Sequence, residues 1–343
     1  MTKRNETTPI QDVIFALLQR FPNAPSKTLA RIAMKEAPAL FTGLERSRRL
    51  FRYYRGATGP ALRRVVERTH PNGIRPLRSP GNPFGRLPQP KKHFAEPWEA
   101  VQIDGPVRVL VLSDTHIPYH DRDVLLSALK YGLDRNANVI LLNGDTADFF
   151  GVSHWERDPR KRDLSGEIGA VREFLGTVRD GFPKARIVFK LGNHEERWEH
   201  YLFAKAPEVV GVEDFELGKI LRFGDQGITE VRDMRPIRLG KLNVIHGHEY
   251  RFAIQSPVNP ARGFYLRAKS HVLGAHLHQT SQHSEKSLEG QVISAWSVGC
   301  LCDLHPDYRP LNNWNAGFAF VEVDGKGAFQ VDNPRIIGGA VYE

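Results

Sequence analysis

Five apolar runs in this chain of 343 residues each end in residue types that bind divalent metal ions. The first, Val107 to His116 (VRVLVLSDTH), leads straight into Asp114 and His116. The ending then recurs. Asn138 to Asp148 (NVILLNGDTAD) brings Asp145 and Asp148, and Ile187 to Glu195 (IVFKLGNHE) brings Asn193 and His194. Leu242 to His248 (LNVIHGH) brings His246 and His248, and His271 to His278 (HVLGAHLH) brings His276 and His278. A continuous Val/Leu run reads as a strand buried on both faces, and α/β proteins gather ligands outside the carboxyl ends of such strands. A lone Asp-x-His or His-x-His is more often a solvated turn or a satisfied histidine. Five in series, each closing an apolar strand, are expected to converge on one pocket.

The ordered set D-x-H, G-D-x-x-D, G-N-H-E, H-G-H and A-H-x-H resembles the calcineurin-like metallophosphoesterase superfamily over roughly residues 105–280. The resemblance implies an α/β fold, two β-sheets sandwiched between helices. It also implies two divalent metal ions, Mn²⁺ foremost with Zn²⁺ or iron as alternatives. Asp114, His116 and His278 are then expected on the first ion, Asn193, His246 and His276 on the second, with Asp145 bridging them. His194 matches the histidine that stabilises the transition state or protonates the leaving group. Asp148, grouped with it in the catalytic set, and Glu195 are expected to orient ligands, with helix capping as the simpler reading.

Such a pair of ions answers what makes phosphate esters inert. It lowers the pKa of a bridging water and clamps the attacking and phosphoryl oxygens, so that a bridging hydroxide attacks. One position departs from the family's usual Gly-His-x-His, where this chain has Ala275 ahead of His276. The runs HIPYHDRDVL, FGVSHWERDPRKR and GNHEERWE further resemble phosphoesterases common in bacteriophage and bacterial genomes, some with a helical N-terminal extension. Arg157, Arg197 and Arg251 are candidates for substrate phosphate, with paired surface charge as the bland alternative. His248 is expected either to contact substrate or to sit in its loop.

Charge divides the chain. Residues 1–100 carry 19 Lys and Arg against 7 Asp and Glu, whereas 101–343 carry 29 against 32. An N-terminal balance of +12 ahead of a near-neutral remainder suits a front end that binds a polyanion. Residues 1–57 read as a helical domain. Ile10, Val13, Ile14, Leu17 and Phe21 form one helical stripe, Ser26 can cap a second helix, and Thr42 with Glu45 makes a capping box for a third. Arg46, Arg48, Arg49 and Arg52 lie mostly on the polar side of that third helix. Three short helices with a basic third resemble a helix-turn-helix module, which makes DNA the expected partner; a solvated helical bundle is the alternative. Residues 58–100, dense in Pro and Arg, read as a linker, and 101–343 as the catalytic domain.

No apolar leader or membrane span is evident, and Cys300 and Cys302 are too few for a disulfide framework, so a cytoplasmic protein is expected, in a host cytoplasm if phage-encoded. A soft-metal role for the cysteines is not expected, because so few Cys and His surround them. The function expected is metal-dependent hydrolysis of phosphodiester bonds in DNA. The alternative is a phosphomonoesterase or protein phosphatase whose helical module binds a partner.

Overall fold

The computed structural model describes residues 8–55, 91–94, 97–155, 158–252 and 257–343. Most of the expected linker lies outside these residues, and so does Arg157. The chain divides into two units between Lys91 and Lys92.

In the first unit, α1 (Pro9–Arg20), α2 (Ser26–Glu36) and α3 (Leu44–Tyr54) follow the expected stripes. Ile14, Leu17, Leu29, Ala33 and Phe51 form its buried core. The expected capping box on α3 does not form. Gly43 is the N-cap, and Glu45 reaches forward to Arg48 at 3.3 Å, where an acidic side chain in the first turn still favours the helix. Arg46, Arg49 and Arg52 are exposed, and no ion pair engages them among the described residues.

The second unit is built on two six-stranded sheets. In the first, β2 (Val107–Leu112), β3 (Val139–Asn143), β4 (Arg186–Lys190) and β5 (Ile228–Val231) run parallel. Their alternation decides what each face meets. Leu110 and Leu112 turn to α4 (Arg122–Asp134) and α5 (Leu164–Gly181), whereas Val109 and Val111 turn to the second sheet. That sheet comprises β1 (Val101–Ile103), β6 (Ile237–Leu239), β7 (Leu242–Val244), β8 (Val272–Gly274), β9 (Ser281–Lys286) and β10 (Val292–Ser297). Its inner side chains, among them Leu239, Val244, Leu273 and Trp296, close the core between the sheets. Its outer face is covered by a last long helix, Pro260–Ala268, through Phe264 and Ala261. The layers are therefore helix, sheet, sheet, helix.

Phe318 to Val323 and Ala328 to Val331, around Asp324-Gly325, read in the sequence as a terminal hairpin of a second sheet, and a hairpin does form there from β11 (Ala319–Val323) and β12 (Phe329–Asp332). It belongs to the first sheet, where β11 pairs antiparallel with β2, and not to the second sheet as the sequence suggests. Two parallel strands cannot be joined by a short turn, and a late antiparallel hairpin takes the free edge of β2. Among the described residues no helix is long and apolar enough to cross a membrane.

Candidate metal centre

The loops after β2, β3, β4, β7 and β8 meet at the carboxyl ends of the parallel strands and deliver all the expected ligands to one place. Most do so from strained backbone. Asp114, His116, Asp145, His276 and His278 have φ of 51°, 48°, 50°, 65° and 56°. Left-handed conformation is tolerated better by Asp, Asn and His than by other non-glycine residues, and each such position costs about 1–3 kcal/mol unless its surroundings fix it. Backbone bonds between loops do the fixing: Asp114 N–H donates to Gly144 O at 3.1 Å and His116 N–H to Asp145 O at 2.9 Å. The glycines of the G-D and G-N pairs are required by close approach. A Cβ on Gly144 would strike the His246 ring, and one on Gly192 would strike Asp145. Ala275, by contrast, places its methyl in the core between the sheets, which explains why the departure from glycine is accommodated.

Asp145 lies between two groups of donors. Its Oδ2 is 3.3 Å from His246 Nε2 and 3.9 Å from His116 Nε2. With His246 and His276 it forms one cluster of potential ligands, and with His116 and His194 another. On the first side, Asp114 Oδ1 is 3.1 Å from His278 Nε2, which is 3.4 Å from His116 Nε2. Asn193 lies between Gly192, packed against Asp145, and His194, whose N–H donates to Asp145 Oδ1 at 2.9 Å.

The ring tautomers follow from the partners. His246 Nδ1 is 2.8 Å from Asn143 O, a carbonyl that can only accept, so Nδ1 carries a hydrogen and Nε2 is the atom turned toward the cluster. His116 Nδ1 makes the same kind of bond to Asp148 Oδ1 at 2.9 Å. This second contact on a ligating histidine is how metal sites fix ring orientation. Asp114 Oδ1, Asn193 Oδ1 and His246 Nε2 are buried with no hydrogen-bond partner among the described residues. A donor set of N and O atoms left unsatisfied in this way fits divalent cations.

Charge balance points the same way. Burial alone would raise Asp114 and Asp145, yet the surrounding histidines hold Asp114 below and Asp145 well below the ordinary carboxylate range. Burial would lower His246, but Asp145 and Asp114 push it up to about 10, while His276, buried beside His246, falls to about 3. The pocket is thus an anionic cradle that holds positive charge.

His194 is placed differently from a free proton donor. Arg197 Nη2 lies 2.7 Å from its Nε2, and because arginine has no acceptor, Nε2 must accept. Its Nδ1 then carries the hydrogen and donates to Asp148, 3.0 Å from both the backbone O and Oδ1. Burial lowers its pKa, which keeps the ring neutral. Arg197, expected at substrate phosphate, is instead 7 % exposed and directed at His194 and Asp148 O. His248 faces Glu196 at 3.2 Å, in the following loop. Arg251 is exposed.

The pair of Lys190 and Glu249 escaped the sequence reading. Lys190, fully buried at the end of β4, bonds Glu249 at 2.9 Å, and Glu249 accepts from the backbone N–H groups of His246 and Gly247. A lysine closing the apolar run IVFK was the available signal. Glu195, considered only for orientation or capping, accepts from the N–H groups of Asp145, Thr146, Ala147 and Gly192, and so locks the β3 loop to the β4 loop.

A two-sheet sandwich carrying Asp, Asn and His at its strand ends is the architecture of a metal-dependent phosphoesterase. The sequence model of the calcineurin-like phosphoesterase family matches residues 107–296, more than half of the chain, and the protein belongs to that family. It is 27% identical over 231 residues to the Gene 54 protein of Mycobacterium phage L5, covering 64% of this chain and 90% of that one. Among solved structures, Yfce, a phosphoesterase from E. coli, aligns with a TM-score of 0.32 and 13% identity over 66% of this chain and 98% of its own. A dimetal phosphatase from Danio rerio aligns with a TM-score of 0.35 and 11% identity, over 68% and 96%.

Proposed function

We propose that this phosphoesterase is a two-metal phosphodiesterase acting on DNA. The observation that carries the reading is the position of Asp145, whose carboxylate stands between two groups of N and O donors. Asp114, His116, Asp145 and His278 would hold one ion, and Asp145, Asn193, His246 and His276 the other, with Mn²⁺ the ion expected from the resemblance and Zn²⁺ or iron favoured by affinity order. When bound, such ions activate water and neutralise charge on the phosphoryl group.

The chain's own residues organise the rest. Asp148 orients both His116 and His194, and Glu195 holds the two loops in register. Neutral His194 donates through Nδ1 to Asp148 and accepts at Nε2 from Arg197, so beside Asp145 it couples Arg197 to Asp148 and has no N–H to spare for a leaving group. Two observations favour nucleic acid. A cavity of about 350 Å³ beside His116 has Tyr119, Phe150, Tyr308 and Trp314 in its walls, and aromatic rings are stacking platforms for bases. The exposed arginines of α3 supply phosphate-binding charge.

Activity of the full chain across bis-p-nitrophenyl phosphate, p-nitrophenyl phosphate, and single- and double-stranded DNA tests the reading. Diester and DNA hydrolysis should exceed monoester hydrolysis. Monoesterase activity alone would replace it with a phosphatase whose helical unit binds a partner.

A further inference from the structure

Nothing in the sequence places the two cysteines near the ligands, yet the fold brings both beside His278, and Cys302 into a cluster with His116 as well. Residues 300–303 run alongside the β2 loop as an extended segment. Leu301 N–H donates to Asp114 O at 3.1 Å, Asp121 N–H to Leu301 O at 3.0 Å, and Asp303 N–H to Tyr119 O at 2.9 Å. In an extended segment side chains alternate. Leu301 turns into the core beneath the helices, which sends Cys300 and Cys302 to the other side. The Cys302 sulfur and ring nitrogens of His116 and His278 all lie within 4.8 Å of one another, and all three residues are buried.

A second observation points to a ligand at the same place. Asp114 Oδ1, fully buried and 3.1 Å from His278 Nε2, has no hydrogen-bond partner among the described residues. Asp114 thus joins at His278 the cluster that His278 forms with His116 and Cys302, so O, N and S donors adjoin there. Cys302 also lines the cavity beside His116.

We propose that Cys302 Sγ is a further ligand of the ion held by Asp114, His116 and His278, and that it makes this half of the centre selective for a thiophilic divalent ion such as Zn²⁺. This inference rests on the metal-centre reading above. On binding, the S–H bond breaks, the sulfur donates its electron pair to the ion, and the proton leaves to solvent. Thiolate ligands favour zinc-like ions over Mn²⁺, whereas the Asn193, His246 and His276 half offers only N and O. The two halves should then differ in preference, with one zinc-like ion retained when the other exchanges.

The test uses full-length protein stripped with chelator and reloaded with Co²⁺ or Zn²⁺. A near-ultraviolet thiolate-to-Co²⁺ charge-transfer band should appear, vanish in Cys302→Ser and persist in Cys300→Ser. In the zinc form, X-ray absorption should find a sulfur scatterer at about 2.3 Å. Cys302→Ser should lower zinc affinity at least by the roughly 10–100-fold that loss of an outer partner costs, with little change for Mn²⁺. Wild-type protein loaded with Co²⁺ but showing no such band, or zinc with only N and O neighbours, would overturn the role of Cys302 alone. A band that follows Cys300 instead would do the same. Failure to bind any metal would overturn the centre itself. Wild-type spectra without a sulfur signal overturn the proposal whatever the variants do, and Cys302→Ala serves where Cys302→Ser does not fold.

Discussion

Glu195→Gln isolates what the buried carboxylate contributes. Each oxygen of Glu195 accepts two backbone N–H groups, Oε1 from Thr146 and Ala147 at 2.7 and 2.9 Å, Oε2 from Asp145 and Gly192 at 2.9 and 2.7 Å. Glutamine keeps one accepting oxygen and turns an NH₂ group toward the other pair. Two buried donors then face a donor, and at about 1–3 kcal/mol for each unsatisfied group the loss is about 2–6 kcal/mol. That is a large part of an ordinary domain's stability of about 5–15 kcal/mol. The same loops carry Asp145 and Asn193, so metal affinity should fall about 10–100-fold alongside. Urea denaturation and metal titration measure the two effects, with Glu199→Gln, an exposed site, as a control expected within about 0.5 kcal/mol. If Glu195→Gln unfolds within about 0.5 kcal/mol of wild type and binds metal equally well, the carboxylate does not lock the loops.

Removing residues 1–91 should leave hydrolysis of small diesters nearly intact and weaken DNA binding. The affinity that disappears should be salt-dependent, with a slope near −0.9 for each DNA phosphate that the segment neutralises; an unchanged slope would favour a protein partner. His194→Ala should reduce hydrolysis of bis-p-nitrophenyl phosphate and of DNA by similar factors, because its Nε2 already accepts from Arg197; a far larger loss on DNA at full metal occupancy would restore the proton-donor role. In chelator-treated protein, burial would raise Glu249, yet Lys190, His248 and His246 hold it at about 2. A depressed carboxylate stabilises fully above its ordinary value, near 4.5, and the contribution is lost as the pH falls from there toward 2. The Tm gap between wild type and Glu249→Gln should therefore narrow on acidification below about pH 4.5, and a constant gap would contradict the pairing.

How much of this could be read in advance depends on range. The strands, the long helices and the candidate ligands that the fold gathers were legible because each is written in consecutive residues: an apolar run fixes burial, and the metal-binding types follow it directly. The hairpin of β11 and β12 was legible as a hairpin, but the sheet it joins depends on which edge is free, a property of the assembled fold. Cys302 was dismissed for want of neighbouring ligands because His116 and His278 are distant in sequence. Arg197 reads as a phosphate contact, or else as surface charge, until its helix is seen to turn it inward onto His194. Lys190 and Glu249 stand in different strands and loops, and only their packing shows that one charge neutralises the other. On α3, the Thr42–Glu45 spacing predicted a cap that a glycine took instead, since Glu45 found Arg48 within its own helix.

The central claim is that Asp145 joins two metal sites in one centre, and metal counting on chelator-treated, reconstituted protein tests it most directly. Wild-type protein should reach a plateau of two divalent ions per chain, and Asp145→Asn should weaken both together. A wild-type plateau at one ion, or an Asp145→Asn variant that loses one ion while binding the other at full strength, would contradict the bridge.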